Sequence, residues 1–132
     1  MEAILPDGWE RPKGYANGMA GEGRFVFVGG QIGWNARCEF ETDDFVAQLR
    51  QALDNVLAVV RKAGGGPEHV ASMTWYLVDR RDYLAALAAV GRVWREVMGR
   101  NYPAMAVVEV TALMEPRAKV EVQAVALLPV AR

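Results

Sequence analysis

Residues 102–127, YPAMAVVEVTALMEPRAKVEVQAVAL, decide how this chain reads. Two runs rich in valine and alanine flank a segment containing Pro116, which predicts two strands joined by a turn. Along the second run the strand period of two places Val120, Val122, Ala124 and Ala126 on one face. Glu121 and Gln123 share the other face with Val125 and Leu127. A carboxylate in such an apolar strand must reach water or a partner, or its neutral form is favoured. The pattern alone fits either an exposed edge strand with two solvated side chains or a carboxylate placed for chemistry, because structural networks also hold carboxylates.

The bulk properties narrow the classes. At 132 residues the chain fits one domain, 1–132, that can bury roughly two thirds of its unfolded surface. Apolar residues at 52% and charged residues at 23% place it among ordinary globular proteins. The net charge of -1 offers no electrostatic footprint for nucleic acid or an anionic membrane. The single cysteine, Cys38, excludes an internal disulfide and suits a reducing compartment, so a cytoplasmic location is expected. MEAILPDGWERP has no basic stretch ahead of an apolar run, so no signal peptide is predicted. No apolar stretch approaches the length of a membrane span.

Outward from the opening segment, Tyr15 to Ala20 and Arg24 to Val28 predict a hairpin around Gly21-Glu22-Gly23. Residues 29–40 read as a loop. Thr42 can cap a helix whose positive end Asp43 and Asp44 favour. Phe45, Leu49, Leu53, Val56 and Val60 then form one helical stripe, and Gly64-Gly65-Gly66-Pro67 ends it. His69 to Val78 predicts a strand, and Tyr83, Leu87, Val90, Trp94 and Val97 mark a second helix that stops at Gly99. The order is strand, strand, helix, strand, helix, strand, strand. Strand-helix-strand steps imply a partly parallel sheet. Two helices cover only one face, yet the third strand reads as apolar on both: Val70, Tyr76 and Val78 on one, Ala71, Met73, Trp75 and Leu77 on the other. A second copy of the chain is the simplest cover, so an oligomer is expected.

Several of these segments together resemble the Rid (YjgF) family. Pro103-Ala104 leading to Glu109-Val110, and Val120-Glu121-Val122 followed by Ala124 and Ala126, are similar to its C-terminal signature. Gly14-Tyr15, Gly29-Gly30-Gln31-Ile32, Gln48 with Gln51 and Leu53-Asp54-Asn55-Val56, and Ala63-Gly64 match further motifs in order, over nearly the whole chain. The resemblance implies an α+β, chorismate-mutase-like fold, with a mixed sheet, two helices on one face, and a homotrimer. It also implies active clefts between subunits, no cofactor, and deamination of enamines and imines as metabolite damage control.

Carried over residue by residue, the resemblance makes Glu121 the carboxylate that holds the attacking water. Tyr15 and Gly30 become pocket residues. Two positions depart from the pattern. Met105 stands where the deaminases have the arginine that grips the substrate carboxylate, and Val107 replaces a nearby cysteine. Losing a charge-assisted bidentate contact costs a few kcal/mol, about two orders of magnitude in affinity or more. Arg117, in the turn before Glu121, is one alternative source of charge.

Other side chains read as structural. His69 fits a solvated turn, and no cluster has metal-ligand spacing, so no metal is expected. Cys38 reads as an inert or merely oxidisable thiol. The glycine runs lack the Lys and Ser or Thr of a phosphate loop. Trp75 and Trp94 fit the core, Trp9 and Trp34 lie in predicted loops, and Arg80, Arg81, Arg92, Arg95 and Arg100 read as the solvated side of the second helix. Two functions follow. The first is hydrolytic deamination of a small imine or enamine, its substrate altered by Met105. The second is a non-catalytic module that binds a small metabolite. The family's older labels, ribonuclease and translation inhibitor, find no basic-aromatic stripe here.

Overall fold

The computed structural model describes residues 1–130. Its elements in chain order are β1 (Glu2–Ile4), β2 (Gly18–Ala20), β3 (Arg24–Ile32), α1 (Phe45–Lys62), β4 (Val70–Leu77), α2 (Arg80–Leu84), α3 (Leu87–Met98), β5 (Ala104–Glu109) and β6 (Val120–Leu128).

The α1 stripe is the core. Leu49, Leu53, Val56 and Val60 are fully buried against β3, β6 and α3, and Phe45 nearly so. The cap is Asp44, whose carboxylate accepts from the Ala47 N–H. Thr42 instead accepts from the Asp44 N–H and shapes the preceding turn. Among the described residues Gln48 is the one buried polar or charged side chain. Its Nε2 donates to the carbonyls of Thr42 and Arg117, and its Oε1 accepts from the Lys119 N–H, so it ties α1 to the start of β6. Asn55 likewise donates to the carbonyls of Ile32 and Trp34. These two amides of the first-helix motif fix loops to the helix.

The second predicted helix is broken. Asp79 caps α2, and side-chain and backbone hydrogen bonds from Arg81 hold its carboxyl below the usual carboxylate range. Ala86 then leaves helical geometry at φ -127° and ψ 25°. The interruption ends the predicted periodicity, so Leu87 is 53% exposed while Val90, Val93, Trp94 and Met98 form the buried face of α3.

The four-stranded sheet has the order β3-β6-β4-β5, with β4 and β5 parallel and the other pairs antiparallel. The mixed α+β architecture is the expected one, but three local readings change. First, β2 and β3 form no hairpin. β2 pairs with β1, a strand not foreseen, and β3 pairs with the equally long β6. Second, β3 runs on through Gly29-Gly30 to Ile32, with a register shift between Val28 and Gln31 that accommodates one extra residue. Third, the two strands of residues 102–127 are not neighbours, because β4 lies between them. The segment joining them is pinned to the end of β4 by Val110 N–H to the Leu77 carbonyl (2.7 Å) and Val78 N–H to the Lys119 carbonyl (3.4 Å).

α1 and α3 cover one sheet face. A register shift between Val70 and Ser72 returns Val70 to that face, beside Met73, Trp75 and Leu77. The open face of β4 therefore carries Ser72, Thr74 and Tyr76, and is more polar than its sequence suggested. The apolar character of the open face comes from β3 and β6. Phe25 and Phe27 are 60% and 76% exposed and stack at 5.9 Å, beside Leu127 and Val125. Among the described residues, no helix is long and apolar enough to cross a membrane.

Candidate functional site

The expected site residues fall into two groups on opposite faces of the sheet. Glu121 and Gly30 lie on the open side. Glu121 is paired with Tyr76 across β4, and its neighbour Gln123 accepts from the Tyr76 hydroxyl at 3.1 Å. Gly30 sits in the irregular stretch of β3. A Cβ built there would stand 2.1 Å from Glu121 Oε2 and 2.8 Å from its Cδ. A side chain there would displace the carboxylate, so the glycine leaves room for Glu121 to lie over the β3 backbone. Glu121 is half-buried rather than free in solvent.

Met105, Val107 and Tyr15 belong to the other side. β5 is the edge strand, and its register puts Met105 beside Met73 and Val107 beside Trp75, on the helix-covered face. Tyr15 reaches the same place because Ala16 bridges to Ala104, with its N–H donating to the Pro103 carbonyl at 3.0 Å. These three side chains line a cavity of about 390 Å³ between β5 and α3. That size suits a small organic ligand.

The rest of the cavity wall was not anticipated. Trp75 and Trp94, 5.9 Å apart, are buried in the core and also line it. Tyr102 stacks on Trp94 at 6.3 Å, and Tyr83 meets Trp75 edge-on at 6.2 Å. The indole N–H groups of both tryptophans are buried and meet no acceptor. An unpaired buried donor of this kind costs about 1–3 kcal/mol. Lys13 and Arg95 bring positive charge to the wall.

Arg117 supplies no charge to this cavity. Its guanidinium pairs with Asp43 at 2.9 Å and lies 5.3 Å over the Phe40 ring, at the start of α1. Trp34 packs on the same Phe40 at 5.8 Å, and Trp9 is 60% exposed, so neither loop tryptophan lines the cavity. The ring nitrogen Nδ1 of His69 accepts from the Gly66 N–H, a structural role. Among the described residues no group of three or more His, Cys, Asp or Glu side chains could hold a metal ion.

Comparison with known proteins gives consistent matches. A family model described as Endoribonuclease L-PSP matches residues 10–128. A RutC family protein of Pyrococcus horikoshii is 31% identical over 126 residues, 95% of this chain and 96% of that one. A protein of Escherichia coli strain K12 named 2-iminobutanoate/2-iminopropanoate deaminase is 31% identical over 105 residues, 80% of each chain. The crystal structure of YyfB, a Rid-family protein of unknown function from Yersinia pestis, superposes with a TM-score of 0.84 at 30% identity, covering 96% of this chain and 98% of that one.

Proposed function

The chain belongs to the Rid (YjgF) family, the one whose model is described as Endoribonuclease L-PSP, and on that premise we propose that it deaminates a small reactive imine or enamine by hydrolysis. The observation that carries this reading is Glu121 lying over Gly30, where any larger residue would overlap its carboxylate. A carboxylate held against bare backbone is positioned to orient one water.

The reaction asks for little else. The Glu121 carboxylate takes a proton as the water oxygen bonds to the imine carbon, while the imine nitrogen gains a proton. The resulting carbinolamine collapses: its C–N bond breaks, ammonia leaves, and a carbonyl forms. The sum is imine plus water giving carbonyl compound plus ammonia, with no change of redox state. Orientation of the water and one positioned base supply the acceleration.

Within one chain, Glu121 and the cavity holding Tyr15, Met105 and Val107 face opposite ways. A site that uses both needs the open face of one subunit against the cavity mouth of another. The exposed Phe25 and Phe27 favour burial of that open face, and a homotrimer provides it. Met105 and Val107 make the β5 wall apolar, so the substrate differs from the small carboxylate-bearing imines that an arginine would grip.

A second reading has its own support. Met105 and Val107 leave no group on β5 to grip a carboxylate, which suits a module that binds a metabolite without turning it over. The ribonuclease label finds little support in a chain of net charge -1. The test is an assay on imines generated in solution, with and without a carboxylate, using Glu121→Gln. That change keeps the shape and removes the base, so turnover is expected to fall by about two to four orders of magnitude. Full activity in a folded variant defeats the deaminase reading.

A further inference from the structure

We propose that the β5–α3 cavity binds a planar, apolar ligand carrying one anionic group, and that Arg95 on α3 holds the anion in place of the absent β5 arginine. This rests on the reading that the cavity is one half of the functional site, and it names the ligand class that half selects.

Charge is the first argument. Two of the lining side chains, Lys13 and Arg95, are cationic, and among the described residues no carboxylate lines the cavity. Among the described residues neither cation is in an ion pair. Arg95 therefore brings an uncompensated guanidinium, whose planar fork of donors matches a carboxylate.

Gly91 supplies the second argument. Glycine in a helix interior is unfavourable relative to alanine. Here its bare Cα lies beneath the Arg95 side chain: a Cβ at Gly91 would stand 3.4 Å from Arg95 Nη1. Both residues line the cavity. The Arg95 side chain therefore lies back along the helix over Gly91, at the cavity's edge.

The remaining wall selects the body of the ligand. Tyr15, Trp75, Tyr83, Trp94 and Tyr102 all line the cavity, and flat rings pack against aromatic groups by offset stacking or edge contacts. A ligand with a flat apolar body and one anionic group complements both the rings and the cations, whereas a purely apolar one complements only the rings.

Benzoate, its neutral isostere benzamide, and acetate are the probes. Each is titrated into the full-length protein and followed by tryptophan fluorescence and ligand-observed NMR. Benzoate is expected to bind about tenfold or more tighter than either benzamide or acetate. Arg95→Ala should weaken benzoate about tenfold and leave benzamide within about twofold, while Arg95→Lys keeps part of the gain. Arg92→Ala, one turn away on exposed surface, should change nothing. Circular dichroism checks that each variant is folded. Equal affinity for benzoate and benzamide, an Arg95→Ala effect under about twofold, or no binding of benzoate at millimolar concentration overturns the proposal. The imine assay is read separately. Turnover that persists while benzoate ignores Arg95 sinks this inference and spares the deaminase reading. Arg95-dependent benzoate binding without turnover of any imine does the reverse.

Discussion

Neighbouring residues of β6 have opposite fates. Val120, Val122 and Ala126 are fully buried beneath the helices, whereas Glu121, Gln123, Val125 and Leu127 face away from them. The covered face is governed by packing, where volume and polarity are fixed by contact with α1. The open face has no such neighbour within the chain. It can therefore hold a carboxylate, an amide and two stacked phenylalanines at no cost to the core. Residues suited to chemistry and assembly stand where folding makes the weakest demand.

Substitutions on the two faces test that contrast. Val122→Asp puts an unpaired carboxylate into a fully buried site. The expected loss is several kcal/mol, comparable with the typical total of about 5–15 kcal/mol, so a chemical melt should show an unfolded or barely folded chain. Phe27→Asp places the same carboxylate on the open face, at a residue 76% exposed. The monomer should stay folded, while sedimentation should report a mass near 14.5 kDa instead of about three times that value. A wild-type protein that sediments as a monomer breaks the comparison, because the open face would then need no partner.

A subtler probe stays on the open side. Gly30→Ala inserts a Cβ at 2.1 Å from Glu121 Oε2, so the carboxylate must move. Turnover should fall by about a hundredfold, the scale of a roughly 1 Å misplacement, with little change in melting temperature. Unchanged turnover means that the position of Glu121 is not critical.

The smallest expected effect is on the covered side. Met105→Arg restores a cation to the β5 wall and should raise activity on a carboxylate-bearing imine such as 2-iminopropanoate by about tenfold. Fast turnover of that imine by the unaltered protein would show that Met105 does not set the substrate.

Much of this was legible in the sequence. The Phe45-to-Val60 stripe and the alternation in β6 follow from periodicity, whereas the close approach of Gly30 to Glu121 depends on residues 29–32 continuing β3 rather than forming a loop. The misreadings are equally specific. The break at Ala85-Ala86 was hidden because alanine favours helix and gives no stop signal. Arg95 is exposed as its sequence suggests, and only the packing of α3 against β5 sets it at the cavity's edge. Trp75 and Trp94 read as core, which they are, but core residues beside the edge strand β5 can also wall a cavity.

The sequence by itself determined the helical stripe of α1 and the two-faced alternation of β6, because those depend on local backbone geometry repeated over several residues. Only the tertiary structure decided that β6 runs between β3 and β4, that β1 rather than β3 takes β2, and that Glu121 and Met105 end on opposite faces. Strand partners far apart in the chain are chosen by burial and register over the whole sheet, and no local pattern encodes that choice.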